Sequence, residues 1–173
     1  MIKLNGRRFG IILLISIILS IQEVSIASSS ADVTVKSWQE EMLNRVNKIR
    51  VDKKSPPLKL CAPLELAAQK YADYMARENF LSHTGKDGSK VGDRLTKAGY
   101  LWKRSNRTTY IGENIAAGQQ TVQEVVNGWI KSPPHYKNLI NRKFTHVGFG
   151  QSKSIKSKYG VYWVQNFGSG VNC

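Results

Sequence analysis

"YGVYWVQNF", residues Tyr159 to Phe167, is mostly aromatic and β-branched, as a strand should be. Strand alternation points Tyr159, Val161, Trp163, Gln165 and Phe167 one way, and Tyr162, Val164 and Asn166 the other. A second strand pattern precedes it. In "HVGFGQS" (His146–Ser152), Val147 and Phe149 alternate with glycines, and a Lys/Ser-rich turn joins the two runs. Everything further upstream reads mainly as helix. Helices first and strands last, with no βαβ alternation, argue for an α+β fold with an antiparallel sheet covered by helices.

The helical patterns are specific. Ser37 and Glu40 fit a capping box, and Trp38, Met42, Val46 and Ile49 follow at helical spacing to an expected end near Arg50. Lys53-Lys54-Ser55-Pro56-Pro57 then breaks the chain. A second helix has Pro63 near its first position and a stripe of Leu64, Ala67, Ala68, Tyr71 and Met75, ending near Glu78. "NFLSHTGKDGSK" (Asn79–Lys90) reads as a loop. A short third helix uses Val91, Leu95 and Ala98, with Gly99 at C′. Tyr100 to Tyr110 is expected to hold a strand, and "IGENIAAGQQ" (Ile111–Gln120) to be irregular. Thr121 and Glu124 form a second capping box before the buried side Val122, Val125, Val126 and Trp129. Ser132 is a natural N-cap and Pro133 a natural N1 for a fifth helix. That places His135 at N3, with Asn138 one turn later on nearly the same face.

The 173 residues have a one-domain length. The amino terminus reads as an export signal over residues 1–27. Lys3, Arg7 and Arg8 precede the apolar run Phe9–Ile21, and Ser25-Ile26-Ala27 offers a cleavage site. The competing reading is a membrane anchor, for which the run is short against the ~20 apolar residues of a spanning helix. Residues 28–36 read as a polar leader and 37–173 as the folded domain. Removing the signal takes away three basic residues and Glu23, so the remainder sits two charges below the whole chain's +14. An exported protein this basic is not expected to meet nucleic acid. Anionic lipid, wall polymer or polysaccharide surfaces suit it better, and solubility with non-specific adhesion is the plainer alternative.

Cys61 and Cys173 are the two cysteines, and export permits a disulfide between them. The alternative is two free thiols. Asn106-Arg107-Thr108 is a glycosylation sequon that matters only in a eukaryotic secretory pathway. The chain has no GxxxxGKS/T phosphate loop, no HExxH and no CxxC, so a P-loop enzyme, a zincin and a thioredoxin-like protein are poorly supported.

The histidines are His83, His135 and His146. His83 lies in the Gly/Asp loop, His135 at a helix start, and Glu113 in "GENIAAG". If the first two imidazoles and the carboxylate converge, they suit a divalent metal, zinc or copper best, or acid–base work near neutral pH. The other reading leaves His135 as a capping residue, His83 on the surface and Glu113 accepting backbone N–H groups.

"FLSHTGKDGSKVGDRLTKAGY", "GENIAAG", "VVNGWIKSPPHYKNLI", "THVGFGQS" and "YGVYWVQNFG", in that order, resemble the CAP superfamily. This superfamily holds cysteine-rich secretory proteins, antigen 5 and plant pathogenesis-related proteins. The likeness runs from about Trp38 to Phe167 and is closest to compact bacterial-type members. It implies an α-β-α sandwich with a central antiparallel sheet, and a cleft lined by His83, Glu113 and His135. Many members set two His and two acids there, sometimes with a divalent metal held by the equivalents of His83 and His135 with Glu113. The position of the second acid is Ser132 here. A neutral hydroxyl leaves the pocket less negative and weakens attraction for a divalent ion such as zinc. Ser132, Asn114 and Asn138 are then support residues, and His146 matches no site position.

The resemblance implies a secreted, extracellular, periplasmic or cell-surface protein. It is expected to be a monomer with no required cofactor, binding a lipid, glycan or protein partner rather than turning over a substrate. The alternative is a hydrolase with His135 or His83 as general base and Glu113 as its orienter. It would use Ser82, Ser132 or a metal-activated water as nucleophile. A structural or host-interaction module without a working cleft is the third reading.

Overall fold

The computed structural model describes residues 37–102, 109–170 and 172–173. The signal and leader readings, Asn106 and the middle of the expected Tyr100–Tyr110 strand lie outside the described residues. The elements are α1 (Trp38–Asp52), β1 (Lys59–Leu60), α2 (Ala62–Glu78), α3 (Val91–Lys97), β2 (Ile111–Ala117), α4 (Val122–Lys131), α5 (Pro133–Leu139), β3 (His146–Lys153) and β4 (Val161–Gly168). None of the described helices is long and apolar enough to cross a membrane.

The sheet order is β1-β3-β4-β2. β4 pairs antiparallel with β3 on one side and β2 on the other. At the edge, β1 runs parallel to β3 through Lys59↔His146 and Leu60↔Val147. That departs from a purely antiparallel sheet. The long passage from β1 to β3 through four helices is the kind of crossover a parallel pair requires.

Every residue of β4 is buried, because helices cover both faces. On one face Val161, Trp163 and Phe167 join Met42 and Val46 of α1, Val125, Val126 and Trp129 of α4, and Leu139 of α5. On the other, Tyr162 and Val164 pack against Ala68, Tyr71, Ala72 and Met75 of α2. This is the three-layer α-β-α sandwich, with the expected alternation sorting residues between two cores. Tyr159 breaks the alternation. It packs edge-on against Tyr162 at 5.8 Å, because Gly160 takes a left-handed turn (φ 73°) between them. The glycines of β3 have a packing reason. A Cβ on Gly148 would overlap the α2 backbone at Leu64 and Glu65, and one on Gly150 the backbone at Ala68.

Ile111–Ala117 is strand β2, not the irregular segment expected. Gly, Glu, Asn and Ala are poor strand formers, but seven consecutive partners on β4 hold them extended. Leu101, Trp102, Thr109 and Tyr110 are outside any strand. The helix starts are close to the reading. Ser37 Oγ accepts from the Glu40 N–H at 3.3 Å, and Thr121 Oγ1 from the Glu124 N–H at 3.1 Å. The Glu124 carboxylate, however, turns to the Gln120 N–H at 2.7 Å. α1 runs two residues past Arg50, and the fully buried Arg50 is a structural hub that the sequence reading treated only as a helix end. Its guanidinium donates to the carbonyls of Pro56, Leu139, Asn141 and Phe144 at 2.7–3.1 Å, tying α1 to the end of α5. Burial lowers its pKa to about 10. Cys61 and Cys173 form the expected disulfide, with Cα atoms 5.3 Å apart.

Candidate functional site

Three elements bring the site together. β2 carries Glu113 and Asn114, the Asn79–Lys90 loop carries His83, and the first turn of α5 carries His135. Ser132 is the N-cap of α5 in position, but its hydroxyl makes no capping bond. The helix start is set instead by the prolines in its first turn and by the Tyr136 N–H donating to the Ser132 carbonyl at 2.8 Å.

The Glu113 side chain is 3% exposed, and both of its oxygens are engaged. His83 Nδ1 lies 2.9 Å from Oε1, while Arg94 Nη2 donates to Oε2 at 2.8 Å. A carboxylate acceptor at that distance makes Nδ1 the donor and turns Nε2 of the half-exposed His83 away from Glu113. Arg94, on α3, also donates to the His83 carbonyl at 3.1 Å and the Ser89 carbonyl at 2.8 Å, so it fixes the loop as well as the acid. Its guanidinium lies 3.5 Å from the centre of the Tyr71 ring. Burial raises the Tyr71 pKa to about 12, so its hydroxyl keeps its proton and donates to the Ser82 carbonyl at 2.6 Å.

His135 is half-buried. Burial first, then the nearby charge of His83, lowers its pKa from the ordinary imidazole value. One imidazole is thus oriented by a carboxylate, and the other is inclined to stay neutral. An amide network seats α5 on the sheet. Asn138 Nδ2 donates to Asn114 Oδ1 at 2.9 Å and the Glu113 carbonyl at 3.2 Å. Asn114 Nδ2 in turn reaches Gln165 Oε1 at 3.1 Å and the His135 carbonyl at 3.2 Å. These bonds join α5 to β2 and β4 through the two asparagines. His146 stands apart at the start of β3, with Nδ1 3.1 Å from Thr145 Oγ1.

Sequence reasoning missed Arg94, Tyr71 as its platform, and Gln165. Arg94 sits on a short helix beside Asp93 and reads as a solvated charge. Only the fold shows it turning inward, with its side chain 11% exposed.

These residues fit a resident divalent ion poorly. Glu113 has no uncommitted oxygen, its charge is already matched by Arg94, and Ser132 adds no charge. Among the described residues, no group of three or more His, Cys, Asp or Glu is placed to hold a metal. A hydroxyl nucleophile is not set up either. Ser82 Oγ accepts from the Thr84 N–H at 3.1 Å, and neither serine hydroxyl bonds an imidazole.

An α-β-α sandwich that sets two imidazoles and an acid near one end of its sheet is the arrangement the CAP resemblance implies. Residues 43–167 match the cysteine-rich secretory protein (CAP) family, and the chain belongs to that family. It is 30% identical over 140 residues to the uncharacterized protein YkwD of Bacillus subtilis, covering 81% of this chain and 50% of that one. It is 28% identical to human Golgi-associated plant pathogenesis-related protein 1 over 66% of this chain and 59% of that one. The chain thus spans only about half the length of the curated relatives it matches. Among solved structures, an extracellular SCP-domain protein from Bacillus anthracis superposes with TM-score 0.61 at 27% identity, over 74% of this chain and 39% of that one. An outer surface protein from Borrelia burgdorferi shares the fold with TM-score 0.65 at 24% identity, over 79% of this chain and 95% of that one.

Proposed function

We propose that the protein is an exported binding protein whose cleft, formed by His83, Glu113 and His135, takes a lipid, glycan or protein partner without chemical turnover. The observation carrying this reading is the full commitment of Glu113. Its carboxylate orients His83 and is neutralised by Arg94, so it is spent on holding the cleft in shape. What the cleft offers a partner is an outward imidazole nitrogen and a second imidazole inclined to neutrality, on rigid supports. Export is supported by the outer-surface and extracellular proteins among its structural neighbours. The net charge of +14 favours anionic surfaces, through contacts that weaken as salt rises.

The test is a titration followed by backbone-amide NMR. The probes are monomeric dihexanoyl phosphatidylglycerol and an N-acetylglucosamine tetramer. The expected result is saturable shifts in Glu113, Asn114 and residues 79–90 with one probe, reduced at least tenfold in affinity by His83→Ala/His135→Ala, with the probe unchanged after incubation. Binding that ignores the double substitution would remove the cleft from the reading.

A hydrolase is the second reading, favoured by the His83–Glu113 pair, which has the geometry of a base with its orienter. With no oriented hydroxyl, water would be its nucleophile. Cleavage of a probe that disappears in His83→Ala would put this reading first.

A further inference from the structure

A cavity lies between α2 and α3. Its volume is about 300 Å³, at the small end of the range for ligand sites. Arg94 lines it and also bonds Glu113, so the cavity and the imidazole site have that side chain in common. The lining combines three chemistries. Tyr74, with Ala67, Ala98 and the largely buried Tyr71 that Arg94 covers, forms an apolar, partly aromatic surface. Lys70 of α2 and Lys97 of α3 bring an ammonium group from each side, and neither has a carboxylate within ion-pair distance among the described residues. Asp87 and Asp93 contribute carboxylates, each with one oxygen held by a backbone N–H, of Ser89 and Lys90 respectively, at 3.0 and 2.9 Å.

We propose that this cavity binds a single acidic sugar unit, a pyranose bearing one carboxylate. Each part of the lining selects part of that ligand. The aromatic surface suits the C–H face of a pyranose ring. The two unpaired ammonium groups, on separate helices, suit one carboxylate between them. The spare oxygens of Asp87 and Asp93 accept from hydroxyls, and they repel a polyanion or a phosphate monoester of higher charge. A fatty acid satisfies the lysines but leaves the aspartates against hydrocarbon, which costs desolvation without return. A neutral sugar satisfies the aspartates but leaves the lysines unmatched. Neither His83 nor His135 lines the cavity, so its occupancy does not require either side chain.

The test is an NMR titration with three probes: glucuronate, glucose and hexanoate. Glucuronate should bind with Kd on the order of 1 mM, as expected of so small a ligand. It should shift the resonances of Lys70, Tyr74 and Lys97. Glucose and hexanoate should each bind about ten-fold more weakly. Lys70→Gln and Lys97→Gln should each cost about five-fold, the size of one partly solvated charge contact, and wild-type binding should weaken at 0.5 M salt. Both variants alter exposed side chains and should leave the fold intact, which the unperturbed amide spectrum reports. His83→Ala/His135→Ala should bind glucuronate as wild type does, even if the cleft reading fails. Equal binding of glucose, equal binding of hexanoate, indifference to both lysine substitutions, or no binding of glucuronate at 20-fold the expected Kd would each overturn the proposal.

Discussion

Arg94 Nη2 donates to Glu113 Oε2 at 2.8 Å, and this one bond decides what the carboxylate can do. The partners are 11% and 3% exposed, so neither charge is left to water. Removing one member of such a pair strands the other, at about 3–5 kcal/mol. Arg94→Met should therefore lower unfolding free energy by about 3 kcal/mol in a urea titration. It should also release Oε2 and expose the acid beside two imidazoles. Zinc calorimetry should show heat in Arg94→Met and none in wild type. The double variant Arg94→Met/Glu113→Gln should recover part of the stability and lose the zinc heat. Equal zinc affinity in wild type and Arg94→Met would show that Arg94 is not what bars the metal.

How much of this was legible beforehand follows from the nature of each signal. The helices and the β3–β4 hairpin are written in local periodicity and caps, and they appear where the sequence places them. β2 was not legible, because its residues are extended by pairing with β4 rather than by their own preference. His83, Glu113 and His135 were legible as candidates through residue type and family likeness. Their bonds were not. Arg94 lies 19 residues from Glu113, and nothing in "GDRL" distinguishes an inward arginine from a solvated one. Ser132 shows the converse. It has the right identity and position for a cap, yet its hydroxyl is not used.

The asparagine network makes a separable prediction. Asn138 joins α5 to β2 by two bonds from one amide nitrogen. Asn138→Ala leaves Asn114 Oδ1 and the Glu113 carbonyl without that donor, at about 1–3 kcal/mol. Amide exchange should accelerate across Pro133–Leu139 and at Asn114, while α2 stays protected. Uniform acceleration across the domain would mean that the amide acts on global stability only.

Acid should destabilise the fold through two imidazoles. Burial holds His135 below its ordinary pKa, with His83 adding to the effect, and burial plus the Lys59 charge does the same to His146. A depressed imidazole pKa means that the unfolded chain takes up protons first as pH falls. Stability from these groups is therefore fully present above the unfolded value of 6.5 and declines as pH drops below it. Unfolding free energy measured at pH 7.5 and pH 5 should fall less in His135→Asn/His146→Asn than in wild type. An unchanged difference would assign acid sensitivity to other groups.

Arg50 carries the strongest stability prediction. Its guanidinium satisfies four carbonyls in a region where α1, the Pro56 segment and the α5–β3 connection meet. No other side chain type presents donors in that planar fan, so Arg50→Lys is not conservative. Lysine offers three donors and no fork, so it cannot reproduce the four bonds, and it is more strongly hydrated in the free state. Arg50→Met removes the charge and the Arg50 donors of all four carbonyls, of which that of Asn141 keeps another partner, the Phe144 N–H at 3.3 Å. Both substitutions should cost about 3 kcal/mol or more, with Met the worse of the two. The consequence reaches the site through geometry. Leu139 and Asn141, which Arg50 holds, bracket the end of the short helix whose first turn presents His135. In Arg50→Lys, thermal unfolding should shift down, and the His135 ring resonances should broaden or move at temperatures well below the transition. A sharp, unmoved His135 signal in a destabilised Arg50→Lys protein would confine Arg50 to stability and leave α5 positioned by its amide network alone.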